Sequence, residues 1–142
     1  MSDGTYTLPT TIALQLPFPP SVNHYWRRTG SKFYVSKAGV AFRKNVEAVF
    51  VSSWRRGRPK LVTCLLSVSV WLTPPDDRYE RDVDNYGGKA LLDAMQHCGI
   101  YQNDRQVKRL TIEMLDKAGA GKCLVLLTNY IRDPEPLTEP AT

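Results

Sequence analysis

Arg81-Asp82-Val83-Asp84-Asn85-Tyr86-Gly87-Gly88-Lys89-Ala90-Leu91-Leu92-Asp93-Ala94-Met95-Gln96-His97-Cys98-Gly99 is the stretch on which the fold turns. Leu91, Leu92, Met95 and Cys98 recur at helical spacing, which predicts a helix from about Asn85 to His97 with its apolar stripe in the core and Gly99 as its stop. On the upstream side, Leu61 to Leu72 reads as a strand closed by Pro74-Pro75. On the downstream side, strands near Val107 to Leu115 and Lys122 to Ile131 flank the turn Lys117-Ala118-Gly119-Ala120-Gly121, a pattern that predicts a hairpin.

Further out, Ser36 is a natural N-cap for a helix carrying Ala38, Phe42, Val46, Val49 and Phe50, which Arg55-Arg56-Gly57-Arg58-Pro59-Lys60 would break. Before it come a short strand, Lys32 to Val35, and a first strand, Thr11 to Leu16, ended by Pro17, Pro19 and Pro20. The order of elements implies an α+β fold with a mixed or antiparallel sheet of about four strands and two main helices. One domain over residues 11–132 is expected, with a flexible segment at 1–10 and a disordered, proline-rich tail at 133–142.

The chain has 142 residues, 42% hydrophobic and 23% charged, enough apolar content to bury a core and close to the usual size of one domain. Its longest apolar run, Leu61 to Leu72, is interrupted by Thr63, Ser67 and Ser69 and falls short of the ~20 residues of a membrane span, so no membrane partner is expected. Asp3 and Pro9 argue against a secretion signal. Cys64, Cys98 and Cys123 are odd in number and widely spaced, which suits a reducing cytoplasm better than a disulfide or zinc framework.

The net charge of +5 conceals an asymmetry. Ten Lys or Arg and a single acid, Glu47, lie between His24 and Lys60, whereas seven acids lie between Asp76 and Asp104. A basic half to hold phosphates beside an acidic cluster to hold a cation is the arrangement a metal-dependent enzyme acting on a polyanion requires.

Within the acidic cluster, Asp82 and Asp84 would point to one side of an extended segment just before the helix, and two close carboxylates repel unless a cation or proton lies between them. The neighbouring ligands are all oxygen, so a hard ion, Mg²⁺ or Mn²⁺, is the natural occupant. Lys89 then stands in the first turns, within reach of a phosphate held by that ion. Asp104 follows the helix, and the extended residues after Gly99 can bring it back to the pair or carry it to a neighbouring subunit. Asp93, four residues after Lys89, reads as its ion-pair partner on the helix surface. An EF-hand reading of Asp82, Asp84, Gly87 and Asp93 fails, because Tyr86 occupies a ligand position and Asp93 replaces the bidentate Glu.

These residues resemble the RusA family of Holliday-junction resolvases. The resemblance runs from about residue 12 to 132 through Leu16-Pro17-Phe18-Pro19-Pro20-Ser21-Val22-Asn23, Tyr25-Trp26-Arg27, Val35-Ser36, Arg81-Asp82-Val83-Asp84-Asn85, Lys89, Leu92-Asp93-Ala94 and Asn103-Asp104-Arg105-Gln106-Val107. It implies a small homodimeric α+β endonuclease of phages and prophages that uses Mg²⁺ to cut four-way DNA junctions symmetrically. It also implies metal-binding carboxylates at Asp82, Asp84 and Asp104 and a catalytic lysine at Lys89. The family places that lysine four residues after the second Asp; here Gly88 holds that position and Lys89 follows. The additional glycine can be taken up as a bulge before the helix.

On this reading Arg27, Arg28, Lys32, Arg43 and Lys44 contact phosphates, Asn23, Arg81 and Asn85 add polar DNA contacts, and Tyr25, Trp26 and Phe33 either stack on bases opened at the branch point or fill the core. A non-catalytic DNA-binding protein with the same basic face, or a related nuclease for flaps, forks or RNA, are the alternatives. Metal-dependent cleavage of a panel of substrates separates them.

Overall fold

A computed structural model describes residues 11–53, 64–78 and 80–132. The 1–10 and 133–142 termini, the Arg55–Lys60 run and the start of the strand expected at Leu61 lie outside the described residues. In Leu66-Ser67-Val68-Ser69-Val70-Trp71-Leu72-Thr73, alternate apolar side chains are buried, so this segment lies at the centre of the sheet. The elements in chain order are β1 (Ile12–Leu16), α1 (Val22–Tyr25), β2 (Trp26–Thr29), β3 (Lys32–Val35), α2 (Lys37–Ser53), β4 (Leu66–Thr73), α3 (Val83–Gly87), α4 (Lys89–His97), β5 (Val107–Met114) and β6 (Lys122–Asn129), with a 3₁₀ turn at Asp104–Gln106. The fold is α+β: a mixed four-stranded sheet in the order β1-β6-β4-β5, and a separate two-stranded sheet of β2 and β3.

The expected hairpin between β5 and β6 does not form. β5 runs parallel to β4 on one side, and β6 runs antiparallel to β4 on the other. A parallel partner requires a long crossover, which residues 74–106 supply with α3 and α4. The more apolar β6 buries Cys123, Val125 and Leu127 and takes the interior place between β1 and β4. β5, carrying Lys108, Arg109 and Glu113, stays at the edge, where charge is tolerated. The glycine-rich connection therefore spans the end of β4 instead of turning tightly. Leu115 N–H donates to the Leu72 carbonyl at 2.7 Å and Ala118 N–H to that of Pro74 at 3.0 Å. Gly121 has φ of +81° and lies so close to Pro75 that a Cβ would come within 2.9 Å.

The rows Leu14–Val125–Val70–Ile112 and Leu16–Cys123–Leu72–Met114 run across the inner face. Phe42, Val46 and Phe50 of α2 and Ala90, Leu91, Ala94 and Met95 of α4 belong to the same core. Ser36 caps α2 as expected: its hydroxyl accepts from Gly39 N–H at 3.0 Å and donates to the His24 carbonyl, tying α1 to the start of α2. Among the described residues no helix is long and apolar enough to cross a membrane.

The predicted helix over 85–97 is two helices. Val83–Gly87 and Lys89–His97 are separated at Gly88, whose φ and ψ are −102° and −118°. Gly87 packs against β4 and β5, where a Cβ would fall 2.7 Å from Ile112 and 3.2 Å from Leu72. The paired glycines thus let α3 press on the sheet and let the helix restart at Lys89. The additional glycine is accommodated as a break between two helices.

Candidate active site and nucleic-acid interface

Asp82 and Asp84 do not share an extended segment. Asp82 is the N-cap of α3, with extended backbone, and Asp84 already lies in its first turn, where a carboxylate is favoured near unpaired amides. Both are exposed. Among the described residues no hydrogen bond or ion pair engages either carboxylate. Asn85, half-buried, donates its backbone N–H to the Asp82 carbonyl at 3.1 Å and helps set the turn.

The loop before them is fixed by Arg81, a residue expected at the DNA. Its side chain is only 10% exposed; it donates to the Asp76 carbonyl at 2.7 Å and to Asp76 Oδ1 at 3.2 Å, and it lies over the Phe18 and Tyr86 rings at 5.5 and 5.8 Å. Arg81 is a structural clamp, and the packing of its guanidinium against the paired Phe18 and Tyr86 rings explains why. Asp76 is held below the ordinary carboxylate range by Arg78, with Arg81 adding to it.

Asp104 does not rejoin the pair within one chain. After Gly99 the chain turns back at once, burying Ile100 and Tyr101, and Asp104 N–H donates to Gln96 Oε1 at 3.2 Å beside the last turn of α4. Lys89 to Gln96 is seven helical steps, ~10 Å of axis, with α3 still to cross before Asp84. Among the described residues no three His, Cys, Asp or Glu side chains gather where one ion could be held. The turn bearing Asp104 is nonetheless well fixed: Asn103 and Gln106 form a capping box, and Gln106 donates to the Cys64 carbonyl at 2.8 Å.

Asp93 also departs from expectation. It pairs with Arg43 and Tyr25, not with Lys89: Tyr25 donates its hydroxyl to Asp93 Oδ2 at 2.6 Å, Arg43 Nη2 to the same oxygen at 2.8 Å, and Arg43 Nε to the Tyr25 oxygen at 2.7 Å. Tyr25 is fully buried, and burial together with the Asp93 charge holds its hydroxyl far above the usual tyrosine range. Arg43 and Tyr25 therefore join α1, α2 and α4 through one shared network with Asp93. Arg43 adjoins Phe42 on the flank of the α2 stripe, and Asp93 follows Leu91 and Leu92 on α4. Opposite charges beside two buried stripes were the available signal.

Lys89, at the start of α4, is exposed, and its Nζ stands 5.9 Å from the centre of the Trp26 ring. With Asn23, Trp26, Arg27, Arg28 and Phe33 it lines a cavity of about 710 Å³. Asn23, Trp26, Arg27, Arg28 and Phe33, all considered for DNA contact, therefore converge with Lys89, expected at the phosphate. Lys32 and Lys44 are exposed but lie outside this cavity.

The family model of the endodeoxyribonuclease RusA matches residues 17–125. The chain belongs to the RusA family. A crossover junction endodeoxyribonuclease of Enterobacteria phage HK97 is 35% identical over 114 residues, 80% of this chain and 90% of the relative. Crossover junction endodeoxyribonucleases of Escherichia coli and of Enterobacteria phage 82 are 28% identical over 121 and 119 residues, each match covering 83% of this chain and 94% of the relative. The RusA match spans the Asp82–Asp84 pair, Lys89, Asp104 and the hairpin that carries Trp26.

Proposed function

We propose that this RusA-family chain is a structure-specific DNA endonuclease that resolves four-way junctions by paired, Mg²⁺-dependent phosphodiester hydrolysis, with Mn²⁺ as a possible substitute. The observation that carries the reading is a pair of exposed carboxylates at the start of α3, without a partner among the described residues, followed by Lys89 with its basic and aromatic cavity at the start of the next helix. The carboxylates suit the ion: Mg²⁺ keeps several waters and is commonly held by one or two carboxylates together with substrate phosphate. Asp82 and Asp84 would hold it. When bound, it supplies a Lewis acid for the scissile phosphate and a more acidic water.

The chain's own groups do the rest. Arg27 and Arg28 bind the backbone, and Lys89 steadies negative charge on the phosphoryl oxygens in the transition state. Arg81, clamped to Asp76, orients the loop that presents Asp82.

Paired cuts on a two-fold substrate call for two sites related by a C2 axis, so the working form is a homodimer. Because Asp104 stands apart from the pair in one chain, we assign its contribution to the neighbouring site across the dimer. The test is incubation with labelled four-way junction, fork, linear duplex and RNA, with and without Mg²⁺, alongside a measurement of solution mass. Symmetric nicks in the junction alone, dependent on the ion, from a species of twice 16.1 kDa are expected. Binding without cleavage under every condition would leave a non-catalytic DNA-binding protein.

A further inference from the structure

We propose that the cavity between α1, the β2–β3 hairpin and Lys89 receives one unpaired nucleobase of the DNA, held on the Trp26 and Phe33 rings with its flanking phosphates on Arg27, Arg28 and Lys89. This rests on the nuclease reading above and names what part of the substrate the cavity takes. The hairpin supplies the first argument. Trp26 pairs with Val35 and Arg28 with Phe33, so Trp26 and Phe33 are diagonal neighbours on one face of the ribbon. Diagonal neighbours stand about 7–8 Å apart. Rings rooted at that spacing on one face are both within reach of a single base.

The second argument is how the rings are held. Trp26 is braced by Tyr25, edge to face at 4.5 Å, and Tyr25 is itself locked to Arg43 and Asp93. Phe33 is 70% exposed and lines the cavity, so its ring is open to a ligand there. Each ring also carries a cation: Arg28 lies 5.5 Å from the Phe33 centre and Lys89 5.9 Å from that of Trp26. A base taking the ring faces would displace these flexible cations onto its flanking phosphates.

The third argument is exclusion. Among the described residues none that lines the cavity is acidic, so a cationic ligand is disfavoured, and Asn23 offers an amide that can read a base edge. About 710 Å³ falls within the usual ~300–1,000 Å³ of small-ligand sites. Bases inside a duplex have both faces covered, so only a base released from the stack can enter. The cavity thereby favours a branch point over a linear duplex.

The experiment is a coupling measurement on binding, made without divalent ion. Fixed-core four-way junctions carry an abasic nucleotide at each branch-flanking position in turn and are titrated with the parent, Trp26→Ala, Trp26→Phe and Phe33→Ala proteins. Trp26→Ala should weaken binding of the intact junction about tenfold, and one abasic position should do the same. The two together should cost no more than either alone. Phe33→Ala, which alters an exposed side chain and leaves the core untouched, should show the same coupling, Trp26→Phe should retain near-parent affinity, and duplex affinity should change less than twofold. Additive losses at every position, or an equal loss on linear duplex, overturn the proposal, and Phe33→Ala is sufficient to do so even if Trp26→Ala does not fold. Cleavage of the intact junction by the parent with Mg²⁺ is followed alongside: no cleavage sinks the resolvase reading, whereas cleavage with additive losses sinks the base pocket alone.

Discussion

Asp93 and Asp84 are nine residues apart and live in opposite surroundings. Asp93, in the seam between α2 and α4, has one oxygen engaged by both Tyr25 and Arg43, so its charge is spent on holding helices together. Asp84, on the rim at the start of α3, is exposed and has no partner among the described residues. The basic residues divide the same way, with Arg43 and Arg81 tied into the fold and Arg27 and Lys89 facing a cavity. Charges satisfied inside the protein stabilise it, and charges left unsatisfied at a rim are available to an ion or a phosphate. Substitution should therefore cost stability in the seam and turnover at the rim.

The largest effect should come from the rim. Asp84→Asn, and equally Asp82→Asn, should reduce junction cleavage by about 10³-fold, the several kcal/mol that a correctly held Lewis acid contributes. Junction binding should persist or tighten, because a negative charge facing phosphate is removed, and the unfolding midpoint should barely move. Near-parent turnover in both variants would erase the distinction between the two carboxylate settings.

Lys89→Ala comes next, with a loss of about 2–4 kcal/mol in turnover, comparable to removing one preorganised electrostatic donor. The structure sharpens this test, since Lys89 faces Trp26 and Asp93 belongs to another network. Single-turnover cleavage and chemical denaturation of one preparation separate the two quantities; an equal fall in stability would return Lys89 to the seam.

The sequence made the local periods legible: the α2 helix with its Ser36 cap, the apolar stripe of α4 though not its break from α3 at Gly88, the α+β composition of the fold and the acidic segment before Lys89. It did not reveal strand order. Lys117 to Gly121 reads as a hairpin because glycines there permit a tight turn, yet whether the chain turns or crosses depends on which strand can be buried on both sides. That is settled by competition between Val107–Met114 and Lys122–Asn129 for the interior place between β1 and β4, which no local window contains. The site was legible in the same measure. Asn23, Trp26, Arg27, Arg28 and Lys89 converge, whereas Tyr25, Arg43 and Arg81 have the same residue types but are consumed by partners distant in sequence or by neighbouring rings.

In the seam the expected sign reverses. Asp93→Ala should cost about 2 kcal/mol of stability, less than a fully buried ion pair because the site is partly solvated, by leaving the Tyr25 hydroxyl and the Arg43 guanidinium short of their acceptor. Cleavage at a temperature well below the transition should remain within a few-fold of the parent. A variant as stable as the parent would show that this network holds nothing.

The smallest effect is the most specific. Tyr25→Phe deletes one hydroxyl and leaves the ring that braces Trp26, so stability at neutral pH should fall by about 1 kcal/mol. Its signature lies in alkali. An unfolded tyrosine ionises near pH 10, and the folded Tyr25 resists ionisation because burial and the Asp93 charge both disfavour the phenolate. Below pH ~10 both states keep the proton and the contribution is complete. Above it the unfolded chain loses the proton first, so stability declines with pH, at up to ~1.4 kcal/mol per pH unit for each such group. Tyr101 shares this behaviour, raised chiefly by burial, and Cys123, pushed up to about 12 by burial, begins the decline nearer pH 9. Replacing Tyr25 by Phe should thus remove one proton from the slope above pH ~10 and leave the onset near pH 9 unchanged. Denaturant titrations of parent and variant between pH 7 and 11 give that slope directly; parallel curves would mean that Tyr25 ionises as freely in the folded protein as in the unfolded chain, and the seam would lose its distinction from the rim.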